Sequence, residues 1–297
     1  ETEKQKKLVE EKNKEIIDSI TYAKRLQQAI LPTIAAVQEQ LPNSFIYYQP
    51  KDIVAGDFYW MHTTNVMARN EAISPIEQIA SPAARNDGMI FIAAADCTGH
   101  GVPGAMVSVV CSNALNRAVK EFNLTDTGLI LDKTRELVIE TFEKSDKDVK
   151  DGMDISLLRI EYPSPSERDG KVRLQWSGAN NSLWYIAPSN SPEGGGAELI
   201  EVRADKQPIG KYSEAKPFTT NKLFLSSPVT FYLFSDGYAD QFSPDDKKLM
   251  KKKFKDIVLN IQHLSMPEQG KALDKFHTDW KGTMEQTDDV LVIGIKV

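Results

Sequence analysis

At 297 residues, with 41% hydrophobic and 26% charged side chains, the chain is long enough for one large domain or two small ones and apolar enough to bury a sizeable core. Its net charge of −6 counts against nucleic acid and anionic membrane as main partners, since both select basic surfaces, and suits a protein that binds metals with carboxylates. Two cysteines, Cys97 and Cys111, give no disulfide framework and fit a reducing cytoplasm, while no apolar run approaches the roughly 20 residues needed to span a bilayer and no signal peptide is present.

The chain opens on Glu1 rather than Met, so it is read as a fragment, cytoplasmic in itself or the cytoplasmic part of a membrane-bound sensor. From Glu1 to Leu31 it is charged and free of Gly and Pro. Val9, Asn13, Ile16, Ile20, Ala23, Gln27 and Ile30 recur at steps of four and three. That is a heptad seam, and Pro32 ends it. The seam either packs on its own domain or joins two copies as a parallel coiled coil. Polar Asn13 and Gln27 would weaken such a coil but could fix its register.

Strands are expected at Phe45–Tyr48 and Phe58–Met61. Residues 63 to 88 lack periodicity and read as a long loop. Met89–Ala95 is a buried strand and Gly99–Gly104 a small-residue loop. Ala105–Phe122 is a helix with Met106, Val109, Val110, Ala114 and Val119 as apolar positions, and Leu129–Glu143 is a second. Strands follow at Ile155–Tyr162, Val172–Ser177 and Leu183–Ala187. Ser189–Gly196 is a turn. Further strands lie at Leu199–Val202 and Thr230–Phe234, helices at Asp246–Ile261 and Pro267–Lys281, and a closing strand at Asp289–Val297. Strands in runs with grouped helices predict an α+β fold, two antiparallel sheets flanked by helices, rather than alternating βαβ units.

Carboxylates stand at the strand ends. Asp57 precedes Phe58-Tyr59-Trp60, Asp96 ends an apolar run, Asp236 ends Phe231–Ser235, and Asp288 and Asp289 open the last strand. In an antiparallel sheet the start of one strand lies beside the end of its neighbour, so these groups can converge. Buried together they repel one another unless a cation neutralises them. No Cys/His pattern accompanies them, and all-oxygen ligation suits magnesium, manganese or calcium. Two such ions are a common engine of phosphoryl transfer to water. The plainer alternative for each Asp is a turn former or cap. His100 could act as general acid or could brace a strand end, the role preferred for it.

Gly56-Asp57-Phe58-Tyr59-Trp60, Ala95-Asp96-Cys97-Thr98-Gly99-His100-Gly101, Ser235-Asp236-Gly237 and Asp288-Asp289-Val290 resemble, in order and spacing, the SpoIIE/RsbU-type branch of the metal-dependent PPM phosphatases. Gly152-Met153-Asp154 and Ser177-Gly178-Ala179-Asn180-Asn181 resemble it too. The likeness runs from about residue 45 to the C-terminus. It implies a PPM-type four-layer αββα sandwich over residues 32–297 and a centre of two Mn2+ or Mg2+ ions. By motif, Asp57, Asp96, Asp236 and Asp288 match the catalytic metal ligands. Asp288 is preferred to Asp289 because the first of the pair is the family ligand, and Cys97 matches through its backbone carbonyl, its thiol being no nucleophile. The implied reaction is hydrolysis of phosphoserine or phosphothreonine on a signalling protein, of the anti-sigma antagonist type, by water activated at the metals. The alternatives are an inactive dimeric scaffold of the same fold and a phosphoesterase acting on a small molecule. The chain departs from eukaryotic-type members at Gly56, where they carry an acidic residue, and at Thr98, where they carry His. Their phosphate-binding Arg has no counterpart, Lys51 being the nearest cation.

Residues 1–31 resemble the segment that precedes such domains in sensory proteins, through Asp18–Lys24 and Ala29-Ile30-Leu31-Pro32. That likeness implies an upstream sensor, a homodimer through this helix, and regulation through the two helices that follow the Gly-rich loop.

Overall fold

Stretches such as Phe91–Ala95 and Val290–Ile295 are apolar at nearly every position, as a strand must be when both its faces are covered. A computed structural model describes residues 2–64, 88–143, 151–162, 172–188, 197–225 and 228–297 and shows that covering. In chain order the elements are α1 (Thr2–Gln28), α2 (Ile34–Gln40), β1 (Ser44–Gln49), β2 (Phe58–Thr64), β3 (Met89–Cys97), α3 (Gly101–Lys120), α4 (Thr127–Glu143), β4 (Met153–Glu161), β5 (Val172–Ala179), β6 (Leu183–Pro188), β7 (Ala197–Val202), β8 (Asn221–Leu225), β9 (Thr230–Phe234), α5 (Gly237–Asp240), α6 (Met250–Asn260), α7 (Met266–Lys281) and β10 (Val290–Lys296). They form two five-stranded sheets, ordered β1-β10-β9-β6-β7 and β2-β3-β4-β5-β8, with antiparallel pairing throughout.

Side-chain alternation assigns each strand residue to one of two cores. On β3, Ile90, Ile92 and Ala94 join Leu291, Ile293 and Ile295 of β10 and Phe231 and Leu233 of β9 between the sheets. The intervening Phe91, Ala93 and Ala95 face Val107, Cys111, Leu115, Ile130 and Val138 of α3 and α4. On the other side, Tyr232, Phe234, Val290 and Val292 face Phe254, Val258 and Leu273 of α6 and α7. The result is the expected α+β sandwich of helix, sheet, sheet and helix. A capping box helps start α7: the Ser265 side chain and the Glu268 carboxylate satisfy each other's backbone N–H groups beside Pro267.

Several boundaries differ from the sequence expectation. The helix expected from Ala105 begins at Gly101, because Pro103 is tolerated in a first turn, where its missing N–H has no partner to lose. Met106 was expected to be buried and is exposed; Ala105, Val107 and Ser108 turn inward instead. The helix expected from Asp246 begins at Met250. The preceding residues form a tight excursion closed by a Phe242–Lys248 bridge, with Asp246 at φ 58°. Helix α2, its N-cap Thr33 accepting from Ala36 N–H, and strand β8 were not anticipated. Strand β2 runs on to Thr64, into the expected loop of residues 63–88, whose residues 65–87 lie outside the described ones. The expected turn at Ser189–Gly196 also lies outside them. Among the described residues no helix is long and apolar enough to cross a membrane.

Phe254 has no exposed surface and packs its ring 4.4 Å from Tyr238 and 5.0 Å from Trp184, centroid to centroid. Phe254→Ala is expected to lower unfolding free energy by about 3–5 kcal/mol, read by urea denaturation. A change below about 1 kcal/mol would contradict this packing.

Candidate active site

Register carries the carboxylates to one place. Phe58 pairs with Ala95, so Asp57 and Asp96 stand next along β2 and β3 at the same sheet end. Asp96 pairs directly with Asp154 on β4. In the other sheet, Val292 pairs with Phe234 and Ser235 exchanges hydrogen bonds with Leu291. Asp236, at the N-cap of α5, therefore stands beside Asp288 and Asp289. A cleft of about 340 Å3 is lined by Asp96, Asp154, Asp236, Asp288 and Asp289, with His100 and the Pro208-Ile209-Gly210 segment among its other walls.

Burial in like-charged company governs these groups. Asp57 is buried. Desolvation first, then the charge of Asp96, hold its pKa well above the ordinary carboxylate value, against a hydrogen bond from Ser235. Its Oδ2 is buried with no hydrogen-bond partner. Asp96 is raised well above the usual range by burial, then by Asp236 and Asp154. Asp236 is raised by burial, then by Asp240 and Asp288, with Lys248 opposing. Asp154 is raised by burial, while the Asn180 amide, donating at 2.8 Å, and the charge of Lys251 pull it back. Burial pushes the Cys97 thiol well up. That thiol lies in the helical core with Cys111, so the side chain is placed as core and not as nucleophile.

Asp289 differs from Asp288. Its two oxygens accept hydrogen bonds from Lys51 N–H and Gly56 N–H, each at 2.7 Å. It thus ties the 50–57 loop to the start of β10. Asp288 Oδ1 accepts only the neighbouring Asp289 N–H, at 2.8 Å, among the side-chain bonds described. Lys51 contributes through its backbone to this tie and is not among the residues lining the cleft. The motif glycines answer to backbone proximity. A Cβ on Gly56 would stand 2.4 Å from the Gly99 carbonyl oxygen, and one on Gly237 would stand 1.9 Å from that of Asp289. No acidic side chain fits at Gly56, which accounts for the departure at that position.

Asp154, Asn180 and the Pro208-Ile209-Gly210 wall were not assigned by sequence reasoning. The wall is fixed by a bridge in which Met153 and Ile209 exchange N–H···O bonds of 3.0 and 2.8 Å. Only the registers of distant strands place these residues, although Gly152-Met153-Asp154 stood out as a motif. Among the described residues no three His, Cys, Asp or Glu side chains are already gathered around one point. The chemistry of the donor set nonetheless fits a hard cation: carboxylate oxygens from both sheets, the buried and unpartnered Asp57 Oδ2, and no thiol turned to the cleft.

The raised carboxylate pKa values have a consequence for stability. Asp57, Asp96, Asp154 and Asp236 bind protons more tightly folded than unfolded, so their contribution is fully present below about pH 3.9 and is lost as pH rises through the raised folded values. The gain in melting temperature from millimolar Mn2+ or Mg2+ over chelator is therefore expected to grow as pH rises above about 4. A gain that shrinks as pH rises would refute the electrostatic picture.

The sequence profile described as stage II sporulation protein E (SpoIIE) matches residues 86–297. No curated protein sequence matches significantly. Among solved structures, the SiaA-PP2C domain of Pseudomonas aeruginosa is similar at 25% identity and a TM-score of 0.73, over 96% of this chain and 98% of that one. The PP2C phosphatase domain of SpoIIE from Bacillus subtilis, with a fragment of its regulatory domain, is similar in fold at 14% identity and a TM-score of 0.58, over 86% of this chain and 63% of that one. The RsbU and RsbW domains of a Mycobacterium tuberculosis protein are similar in fold at 14% identity and a TM-score of 0.55, over 86% of this chain and 60% of that one. The chain belongs to the SpoIIE family and carries a SpoIIE/RsbU-type PPM phosphatase domain.

Proposed function

We propose that the chain is an active, metal-dependent protein serine/threonine phosphatase. The observation that carries this reading is the convergence of carboxylates from both sheets on one cleft, with no lysine or arginine among the described residues that line it. Asp57, Asp96, Asp236, Asp288 and the Cys97 carbonyl would hold two Mn2+ or Mg2+ ions. Asp288 is preferred because both oxygens of Asp289 are engaged by backbone N–H groups. Bound there, two hard cations polarise a phosphoryl group and acidify a water. Asp96 and Asp154, opposed across the β3–β4 ladder, would supply negative charge to such cations from one sheet. The Pro208-Ile209-Gly210 segment, bridged to Met153 beside Asp154, lines the same cleft and would border the approach of substrate. The substrate is a phosphorylated signalling protein of the anti-sigma antagonist type, and the domain works in the cytoplasm beneath an upstream sensor.

Regulation enters through α1. Gln27 is buried at the end of this helix. Its Oε1 accepts from Ala55 N–H at 3.1 Å, and its Nε2 donates to Ala55 O and, at 3.0 Å, to Ser108 Oγ of α3. One side chain thus ties the input helix both to the loop leading into Asp57 and to the helix that follows Asp96. The upper part of the seam, with Val9 and Ile16, is exposed and is the surface through which a homodimer would form.

Hydrolysis of p-nitrophenyl phosphate with Mn2+ tests the first reading. Activity is expected to require the metal and to fall by about 100-fold or more in Asp236→Asn, the scale of losing one electrostatic element of such a site. Metal-independent activity, or an unaffected mutant, would overturn it. For regulation, Gln27→Ala or removal of residues 1–31 is expected to raise the Mn2+ dissociation constant by about fivefold or more, the lower end of typical coupling between sites. Calorimetry showing unchanged affinity in both would sink that part.

A further inference from the structure

Cleavage of a phosphoserine releases an alkoxide, which departs slowly unless a proton reaches it as the bond breaks. The residue standing where eukaryotic-type members carry His is Thr98. It is committed elsewhere: its Oγ1 lies 3.2 Å from Gly152 N and 3.3 Å from Gly152 O, clamping the end of β3 to the start of β4.

Two residues further on, His100 lines the same cleft as the carboxylates. Its Nδ1 lies 2.9 Å from Asp52 Oδ2. Both partners are held by backbone. Asp52 follows Lys51, whose N–H is bonded to Asp289, and His100 is the N-cap of α3 in an extended conformation. Gly101 turns the chain there at φ 65°, and a Cβ on it would stand 3.2 Å from Asp52 Oδ2, so this glycine leaves room for the carboxylate. Both side chains are about half exposed. The ion pair itself therefore adds little to stability, and its effect is on the orientation of the ring. With Nδ1 engaged by Asp52, Nε2 is the nitrogen left for proton transfer.

We propose that His100 is the general acid of the reaction and that Asp52 is its positioning residue. The inference rests on the phosphatase reading above. As the bond from phosphorus to the serine or threonine oxygen breaks and the water oxygen bonds to phosphorus, the Nε2 proton passes to the departing oxygen. The imidazole then takes the proton given up by the water. The substrate's serine or threonine hydroxyl, inorganic phosphate and a reprotonated His100 result.

The test uses two leaving groups. Nitrophenolate leaves as a stable anion, whereas a serine alkoxide does not. With saturating Mn2+, His100→Gln is expected to lose about 100-fold in kcat on a phosphoserine peptide and only a few-fold on p-nitrophenyl phosphate, the size of a general-acid contribution. Asp52→Asn should lose about tenfold in kcat on the peptide with little change in KM. A series of aryl phosphates on the unaltered chain should show a shallow dependence of kcat on leaving-group acidity, which steepens in His100→Gln. Equal losses on both substrates, or an unchanged slope, would overturn the assignment. Hydrolysis of p-nitrophenyl phosphate by the unaltered chain reports on the phosphatase reading by itself, so the two failures are distinguishable.

Discussion

Mutual repulsion among carboxylates packed at the shared end of two buried sheets is the constraint to which the rest of this structure answers. Charges that close in a low-dielectric setting interact far more strongly than in water. The strands that carry them cannot part without opening the cores on both of their faces. Among the described residues, Lys248 and Lys251 act on Asp236 and Asp154 of the cluster. Lys248 is already engaged by Asp240 at 2.8 Å, and Lys251 stands exposed at the start of α6. Neither neutralises Asp57, which is buried against Asp96 at the base of the site. Protonation or a dissolved cation remain as ways to hold the cluster together. At neutral pH the cation is the one that leaves the carboxylates ionised.

The short loop of residues 50–57 is where the other parts of the molecule meet. Asp289 of one sheet binds its backbone at Lys51 and Gly56. Gly56 lies against the Gly99 carbonyl, and Gly104, at the start of α3, lies against both. Asp52 reaches His100, Tyr48 donates to the Asp57 carbonyl at 3.0 Å, and Gln27 holds Ala55 at both its N–H and its C=O. A displacement of this loop would move Asp57, the Asp289 tie and the His100 partner together. Through Gln27, a shift of α1 would therefore reach a site assembled from both sheets.

Features written in local pattern were legible in the sequence. Apolar runs marked β3, β9 and β10, and a carboxylate at the end of each marked the cleft. Features written in register were not. Asp154 lies 58 residues from Asp96 in the chain, and only the β3–β4 pairing sets the two face to face. The connection from β7 to β8, which supplies Pro208, Ile209 and Gly210, has no periodicity, because it is held by a backbone bridge to Met153 rather than by an apolar face. Gly101-Val102-Pro103-Gly104 looked like loop because three of its four residues are helix breakers within a helix, and a first turn is where they are tolerated. Met106 misled for a related reason. With the helix beginning four residues earlier, its inward face is set by the close approach of Gly104 to Gly99 and not by the most apolar side chain available.

The heptad seam of α1 admitted two uses, and in its lower half the structure shows packing on its own domain. Ile20, Ala23 and Ile30 are half-buried and Gln27 fully so, whereas Val9 and Ile16 stand in solvent. Gln27, which looked like a polar residue setting the register of a coiled coil, sets instead the register of the helix on its own domain. Its amide meets a donor and two acceptors at fixed positions. Since successive residues of an α-helix are rotated by about 100°, a slip of one position would turn the amide away from all three at once and bring Gln28 or Leu26 towards Ala55. Neither could keep the set: Leu26 has no polar atom, and Gln28 would enter one residue out of step with Ile20 and Ala23. A second copy covering the upper half would act on a helix whose lower half has one well-defined seat. Small rotations imposed above would then be converted into occupancy or loss of that seat, rather than into graded bending.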